Sequence, residues 1–173
     1  MSDSDKAAYI ARIRANVPDE LKALPIWLLW RSVPEPGKKK PKKVPYYASG
    51  GARAAGFKER GLELDCPEDR QQLVTFSEAV AAYERGGYTG LGIALGVMPD
   101  GRRLSGIDLD DVSPTDPQVT QILLAANSYA EVSPSGNGVK IFGLGDIGKT
   151  KSARLEIYSG ARFFTVTGQV ISG

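Results

Sequence analysis

Histidine is absent from the 173 residues, and this absence excludes more chemistry than any motif in the chain. Without imidazole there is no Ser-His-Asp or Cys-His nucleophile system, no histidine general base and no histidine metal ligand. A single cysteine, Cys66, excludes an internal disulfide framework and a cysteine-based zinc cluster. It suits a reducing, cytoplasmic setting. No apolar run approaches the ~20 residues that span a bilayer, and the polar start "MSDSDKAAYI" has no signal-peptide pattern, so no membrane partner is expected. Chemistry must rest on carboxylates, Lys, Arg, Ser, Thr and Tyr. That set suits hard cations such as Mg²⁺ or Mn²⁺ and does not suit zinc.

What is present describes a soluble globular chain, 42% hydrophobic and 24% charged, long enough for one domain over residues 1–173. The net charge of +2 is nearly balanced, yet "GKKKPKK" places five lysines in Gly37–Lys43. A solvated loop is one reading of Lys38, Lys39, Lys40, Lys42 and Lys43; contact with nucleic-acid phosphates is the other.

Periodicity predicts a helix over residues 4–17, within an N-terminal helical segment 1–22, and a buried strand over 25–33. A short returning strand, "KVPYY", follows, and Pro45 puts it at a sheet edge. The spacing of Thr75 and Glu78 predicts a capping box opening a helix that ends at Gly86 and Gly87. "GLGIALGV" and "LSGIDLDDV" read as a hairpin around "PDGRR". After a helix opened by Pro114 and Pro117, four strand-like pieces close the chain. The strands do not alternate with helices, so the expected class is α+β: helices on one face of a mostly antiparallel sheet.

"SGIDLDDV" is the stretch that points to a site. Side chains alternate along a strand, so Asp108 and Asp110 share one face, ~7 Å apart at Cα, with Ile107 and Leu109 on the other. Two carboxylates so placed can reach one cation or a cation pair, or they can be solvated acids at a strand end. Asp111 falls outside the pair, on the opposite face or in the turn. In "LEIYSG", Glu156 shares a face with Tyr158 and becomes a third oxygen ligand if its strand pairs with that of Asp108; otherwise it belongs to an amphipathic strand's polar face. "SPSGNGVK" supplies Ser133, Ser135, Gly136, Asn137 and Lys140, a turn suited to an anion with a lysine behind it. "ARFFTVTG" adds Arg162 for a triphosphate, with Thr165 and Thr167 for hydrogen bonds to substrate; a plain hairpin strand is the alternative.

Taken in order, "WLLWR…KVPYY…TFSEAVAAY…GLGIALG…SGIDLDD…EVSPSGNGVKIFGLG…LEIYSGARFFTVTG" resembles the primase–polymerase domain of phage and plasmid replication proteins, within the archaeo-eukaryotic primase superfamily. The resemblance runs from about Trp27 to Gly168. It implies a catalytic core with an RRM-like sheet, and template-directed nucleotidyl transfer from nucleoside triphosphates with two divalent ions, Mg²⁺ or Mn²⁺. Asp108, Asp110 and Glu156 match the metal-binding acids. Ser135, Gly136 and Lys140 match the phosphate-binding turn, and Arg162 is a nucleotide-binding candidate. The implied partners are DNA template and primer, nucleoside triphosphates and a replicative helicase. The chain departs from the superfamily in carrying Lys140 where histidine is usual, and relatives usually continue beyond the third motif, as a longer replication protein would.

Two other readings compete. A non-catalytic RRM-like nucleic-acid binder would present aromatic and basic residues on its sheet face, where three acids are expected here. "IDLDDV" also fits the DxDx[TV] start of haloacid-dehalogenase-type phosphatases. That fold needs a long α/β segment afterwards, whereas the remaining chain reads mainly as strands.

Overall fold

The computed structural model describes residues 2–171. Two helices open the chain, α1 (Asp3–Asn16) and α2 (Asp19–Ala23). Ser2 starts α1 by a reciprocal cap: its hydroxyl accepts the Asp5 N–H, and the Asp5 carboxylate accepts the Ser2 N–H. Val17, ahead of Pro18, is extended and ends the helix. Strands β1 (Trp27–Val33) and β2 (Lys42–Tyr46) follow. The stretch over 50–61 contains a 3₁₀ turn (Lys58–Arg60), and the short helix α3 (Pro67–Arg70) comes after it. Helix α4 (Phe76–Glu84) begins where expected, the Glu78 carboxylate accepting the Thr75 N–H at 2.9 Å.

The remaining elements are β3 (Gly90–Ala94), β4 (Gly96–Val97), β5 (Arg103–Asp110), α5 (Pro117–Ala126), β6 (Ala130–Val132), β7 (Gly138–Leu144), β8 (Thr150–Lys151), β9 (Leu155–Tyr158) and β10 (Phe163–Thr165). They form two sheets. One has the order β10-β3-β1-β2; the other runs β6-β7-β5-β9-β8, with β4 also pairing β5. Every pairing is antiparallel. β2 is an edge strand, so Pro45 removes no ladder hydrogen bond from the sheet interior.

The α+β class holds, but the single RRM-like sheet with helices on one face is corrected to two sheets that divide the helices between them. The reason lies in "GLGIALGV", which is two strands. Gly96 has φ 118°, a conformation that glycine adopts freely. It turns the chain out of the first sheet, and only Gly96 and Val97 pair with Leu104 and Arg103 in the expected hairpin. A wholly antiparallel arrangement leaves no place for a haloacid-dehalogenase-type parallel α/β core.

The first sheet turns Trp27, Leu29, Leu91, Ile93 and Phe164 onto α1 and α4, in a core shared with Ile13, Phe76, Ala79 and Tyr83. The second sheet turns Leu109, Val139, Ile141 and Ala130 onto Val119 and Leu123 of α5. Its opposite face is divided. Leu104, Phe142 and Tyr158 join the first core, while the other end of that face carries charge.

Candidate active site

β5 runs from core to cleft. On one face lie Leu104, buried, then Gly106, Asp108 and finally Asp110, exposed at the strand end. Phe164 fills the space over Gly106; a Cβ there would stand 2.2 Å from Phe164 Cε2. This close approach lets β10 of the first sheet reach across to Asp108.

Register then builds the rest. Lys140 of β7 lies opposite Asp108 on one side and Glu156 of β9 on the other. Glu131 lies opposite Lys140, and Lys151 opposite Glu156. A single rung across five strands therefore carries Glu131, Lys140, Asp108, Glu156 and Lys151, all on one face. Asp108 and Glu156 are like charges in a direct cross-strand pair, an arrangement that destabilises a sheet unless it is countered. Lysines counter it from both sides. Lys140 Nζ donates to Asp108 Oδ1 at 2.8 Å and sits 4.4 Å from the Phe164 ring centroid. Lys151 Nζ is 3.1 Å from Glu156 Oε1, and the Tyr158 hydroxyl donates to Glu156 Oε2 at 2.5 Å. The Tyr158 hydrogen bond holds the Glu156 carboxyl below its ordinary range; burial opposes it, and Lys151 adds to the lowering.

Asp108, Lys140, Glu156, Tyr158 and Phe164 line a cleft of about 160 Å³ closed by Lys43, Arg162 and Thr165. The Arg162 guanidinium stacks 4.8 Å from the Tyr158 ring centroid. Thr165 is buried, and its hydroxyl has no hydrogen-bond partner. Lys43 stands apart from the other loop lysines. Its ammonium lies 5.9 Å from the Trp30 ring, and desolvation and then Lys140 push its pKa down, opposed by Asp108 and Asp110. Lys38, Lys39, Lys40 and Lys42 are exposed, as is the body of Lys43, but those four lie outside the cleft lining, Lys38 pairing with Glu35 at 2.8 Å.

Other expected residues lie further off. Asp110 shares the face of Asp108, but its side chain is exposed at the strand end and outside the cleft lining. Asp111 is a left-handed turn residue (φ 55°) whose N–H donates to the Asn137 carbonyl at 3.0 Å. The turn holding Ser133, Ser135, Gly136 and Asn137 caps the β6–β7 hairpin beside the end of β5 and does not line the cleft around Asp108. Much of its hydrogen bonding is internal: Gly136 N–H donates to the Ser133 carbonyl and Asn137 N–H to the Ser135 hydroxyl. The Thr167 hydroxyl donates to the Val132 carbonyl at 2.7 Å, so its proton is engaged within the fold.

Sequence reasoning missed Glu131, Phe163 and Phe164. Glu131 is fully buried and accepts the N–H groups of Thr167 and Gly168 at 2.8 and 3.0 Å and the Tyr129 hydroxyl at 2.9 Å. Burial raises its carboxyl pKa in spite of these donors. An acid in the three-residue strand "AEV" carries no signal of such a role. The two phenylalanines read as ordinary strand hydrophobes.

As donors, Asp108, Asp110 and Glu156 fit a hard divalent cation, and the opposed pair of Asp108 and Glu156 is a place where positive charge is required. Among the described residues, however, no group of three or more such side chains converges on a common point. Lys140 donates to Asp108 Oδ1, which leaves the second oxygen of that carboxylate for an ion.

No known protein-family signature matches the chain. It is 29% identical over 160 residues to a DNA primase-polymerase of Nitratiruptor phage NrS-1, an alignment covering 85% of this chain and 20% of the relative. The chain thus spans about one fifth of the length of that phage protein. The likeness to primase–polymerase domains read from the motifs is therefore matched, over most of the chain, by a phage DNA primase-polymerase.

Proposed function

We propose that this domain is a nucleotidyl transferase of primase–polymerase type, adding nucleotides from nucleoside triphosphates to a 3′-hydroxyl on a DNA template. The observation that carries the reading is the rung Lys140–Asp108–Glu156, with Lys43, Arg162 and Thr165, whose buried hydroxyl is unpartnered, lining the same cleft. Acids for cations and bases for a triphosphate thus sit within one small cleft, as phosphoryl transfer requires.

Asp108, Asp110 and Glu156 are the residues that would hold Mg²⁺ or Mn²⁺, and a pair of such ions would supply Lewis acidity at the attacking oxygen and charge neutralisation at the leaving pyrophosphate. The protein's own part is binding and orientation. Lys140 exchanges Asp108 for a phosphate oxygen, acting as a point charge in place of the superfamily's usual histidine. Arg162, stacked on Tyr158, presents a fork to the triphosphate, and Lys43 adds a third cation. Thr165 donates a hydrogen bond to the bound nucleotide. Lys38, Lys39, Lys40 and Lys42 hold template or primer phosphates outside the cleft. A helicase, elsewhere in the same replication protein or separate from it, would act on the DNA ahead of this domain.

Primer extension and de novo synthesis with labelled nucleotides and Mg²⁺ or Mn²⁺ test the proposal. Wild type should give metal-dependent product, and Asp108→Ala/Asp110→Ala should lose synthesis while keeping the fold. Extension by the double variant at the normal rate would overturn the mechanism. DNA binding without any metal-dependent product would favour the non-catalytic binding module.

A further inference from the structure

The segment over 47–70 holds a buried ion cluster. Arg53 and Asp69 have side chains only 1% and 0% exposed. Arg53 donates to Asp69 through Nε at 2.8 Å and Nη2 at 2.5 Å, and Tyr47 donates to the same carboxylate at 2.7 Å. Asp69 also accepts the Asp65 N–H at 3.0 Å, which fixes the backbone of Asp65. The Asp65 carboxylate, in turn, accepts from Arg53 Nη2 at 3.2 Å and from Arg70 Nη2 at 2.9 Å.

This cluster grips two places where the chain passes between the sheets. At the first crossing, between β3 and β4, Arg70 donates to the Leu95 carbonyl. Gly96 packs so closely that a Cβ there would fall 1.9 Å from Arg70 Nη2. At the second, between β9 and β10, the Ala161 N–H donates to Asp65 Oδ2 at 2.5 Å. Arg53 Nη1 reaches the Arg162 carbonyl at 3.4 Å, and the Leu95 N–H donates to that carbonyl at 3.0 Å. Ala161 has φ 51°, a left-handed conformation that a residue with a Cβ keeps only when its surroundings impose it. The next residue is Arg162, whose guanidinium enters the cleft.

On the reading of the cleft given above, we propose that Asp65, pinned by Arg53 and Arg70, is a positioning residue for nucleotide binding: it imposes the strained turn at Ala161 and so aims Arg162 at the triphosphate. A carboxylate remote from the reacting atoms would then set nucleotide affinity through the backbone of the residue that binds it.

A double-mutant cycle on the same chain separates positioning from support of the fold. Binding of dATP with Mn²⁺ is measured by calorimetry for wild type, Asp65→Ala, Arg162→Ala and the double variant, with thermal melts alongside. Arg162→Ala should weaken binding about tenfold, the loss expected for a charge-assisted contact. Asp65→Ala should weaken it by a similar factor, and the double variant no further than Arg162→Ala, even though both Asp65→Ala chains melt lower. If the two losses multiply, or if Asp65→Ala binds as wild type does, Asp65 does not act through Arg162 and the inference is overturned. No dATP binding by wild type, or full binding by Arg162→Ala, would instead overturn the reading of the cleft on which it rests. If Asp65→Ala does not fold, the same cycle is run with Arg70→Gln, which removes one of the two guanidinium groups that pin the Asp65 carboxylate and keeps the carboxylate itself; non-additivity with Arg162→Ala is again the expected result, and additivity the overturning one.

Discussion

Thr165 offers the sharpest single-residue contrast between stability and function. Its hydroxyl is buried without a partner, and an unsatisfied buried polar group costs ~1–3 kcal/mol. Thr165→Val keeps the shape and removes the orphan, so it should raise stability by about 1 kcal/mol while weakening nucleotide binding several-fold. Denaturant melts and nucleotide titrations check the two halves separately; a destabilised variant with unchanged affinity would refute both. At this scale much of the site was legible in sequence. Alternation alone put Asp108 and Asp110 on one face, and the condition set for Glu156 is met, because its strand does pair with that of Asp108. Glu131 and the phenylalanines were not legible, since nothing local distinguishes a buried acid with donors from an exposed one.

At the scale of elements, the contact of β5 with β10 shapes the cleft. Gly106→Ala would drive a methyl group into the Phe164 ring, the ring that Lys140 faces. Overpacking of this kind costs ~1–3 kcal/mol, and the displaced Phe164 should weaken nucleotide binding as well. Comparing its melting with that of Gly143→Ala, where an added Cβ meets nothing within 4 Å, isolates the contact from the general cost of replacing glycine in a strand. The loop between β1 and β2 carries a different prediction. Neutralising Lys38, Lys39, Lys40 and Lys42 should reduce the salt slope of DNA binding by about one for each lysine that touches a phosphate. A slope identical to wild type would return the loop to a solvated surface. Lys43 is left out because it faces the cleft. Helix starts and the edge strand with Pro45 were readable because caps and proline act locally. The division of "GLGIALGV" into β3 and β4 was not, because a glycine at positive φ is invisible until the partners of both halves are known.

At the scale of the whole molecule, the ion cluster that joins the 47–70 segment to the β3–β4 and β9–β10 crossings should govern acid stability. Burial alone would raise the Asp69 carboxyl, but Arg53, Tyr47 and the Asp65 N–H bring it below its ordinary value of 3.8. A depressed carboxyl stabilises the fold above its unfolded value, and that stability is lost as pH falls through the lower, folded one. Asp69→Asn should therefore lower stability by ~3–5 kcal/mol at neutral pH, as expected when a buried pair loses one partner. Its stability should also vary less with pH than that of wild type below about pH 4. Unfolding curves from about pH 6 to about pH 2 measure both; parallel pH profiles would show that Asp69 is not the group responsible. What the sequence determined by itself was the chemistry available: no histidine, oxygen donors in pairs, strand faces, caps and turns, all set by neighbours within a few residues. What only the tertiary structure decided was company. The pairing of Asp108 with Glu156, the bracketing lysines, the separation of Lys43 from its loop and the grip of Asp65 on the turn at Ala161 arise between segments far apart in the chain, where register and sheet crossing, and no local preference, place one side chain beside another.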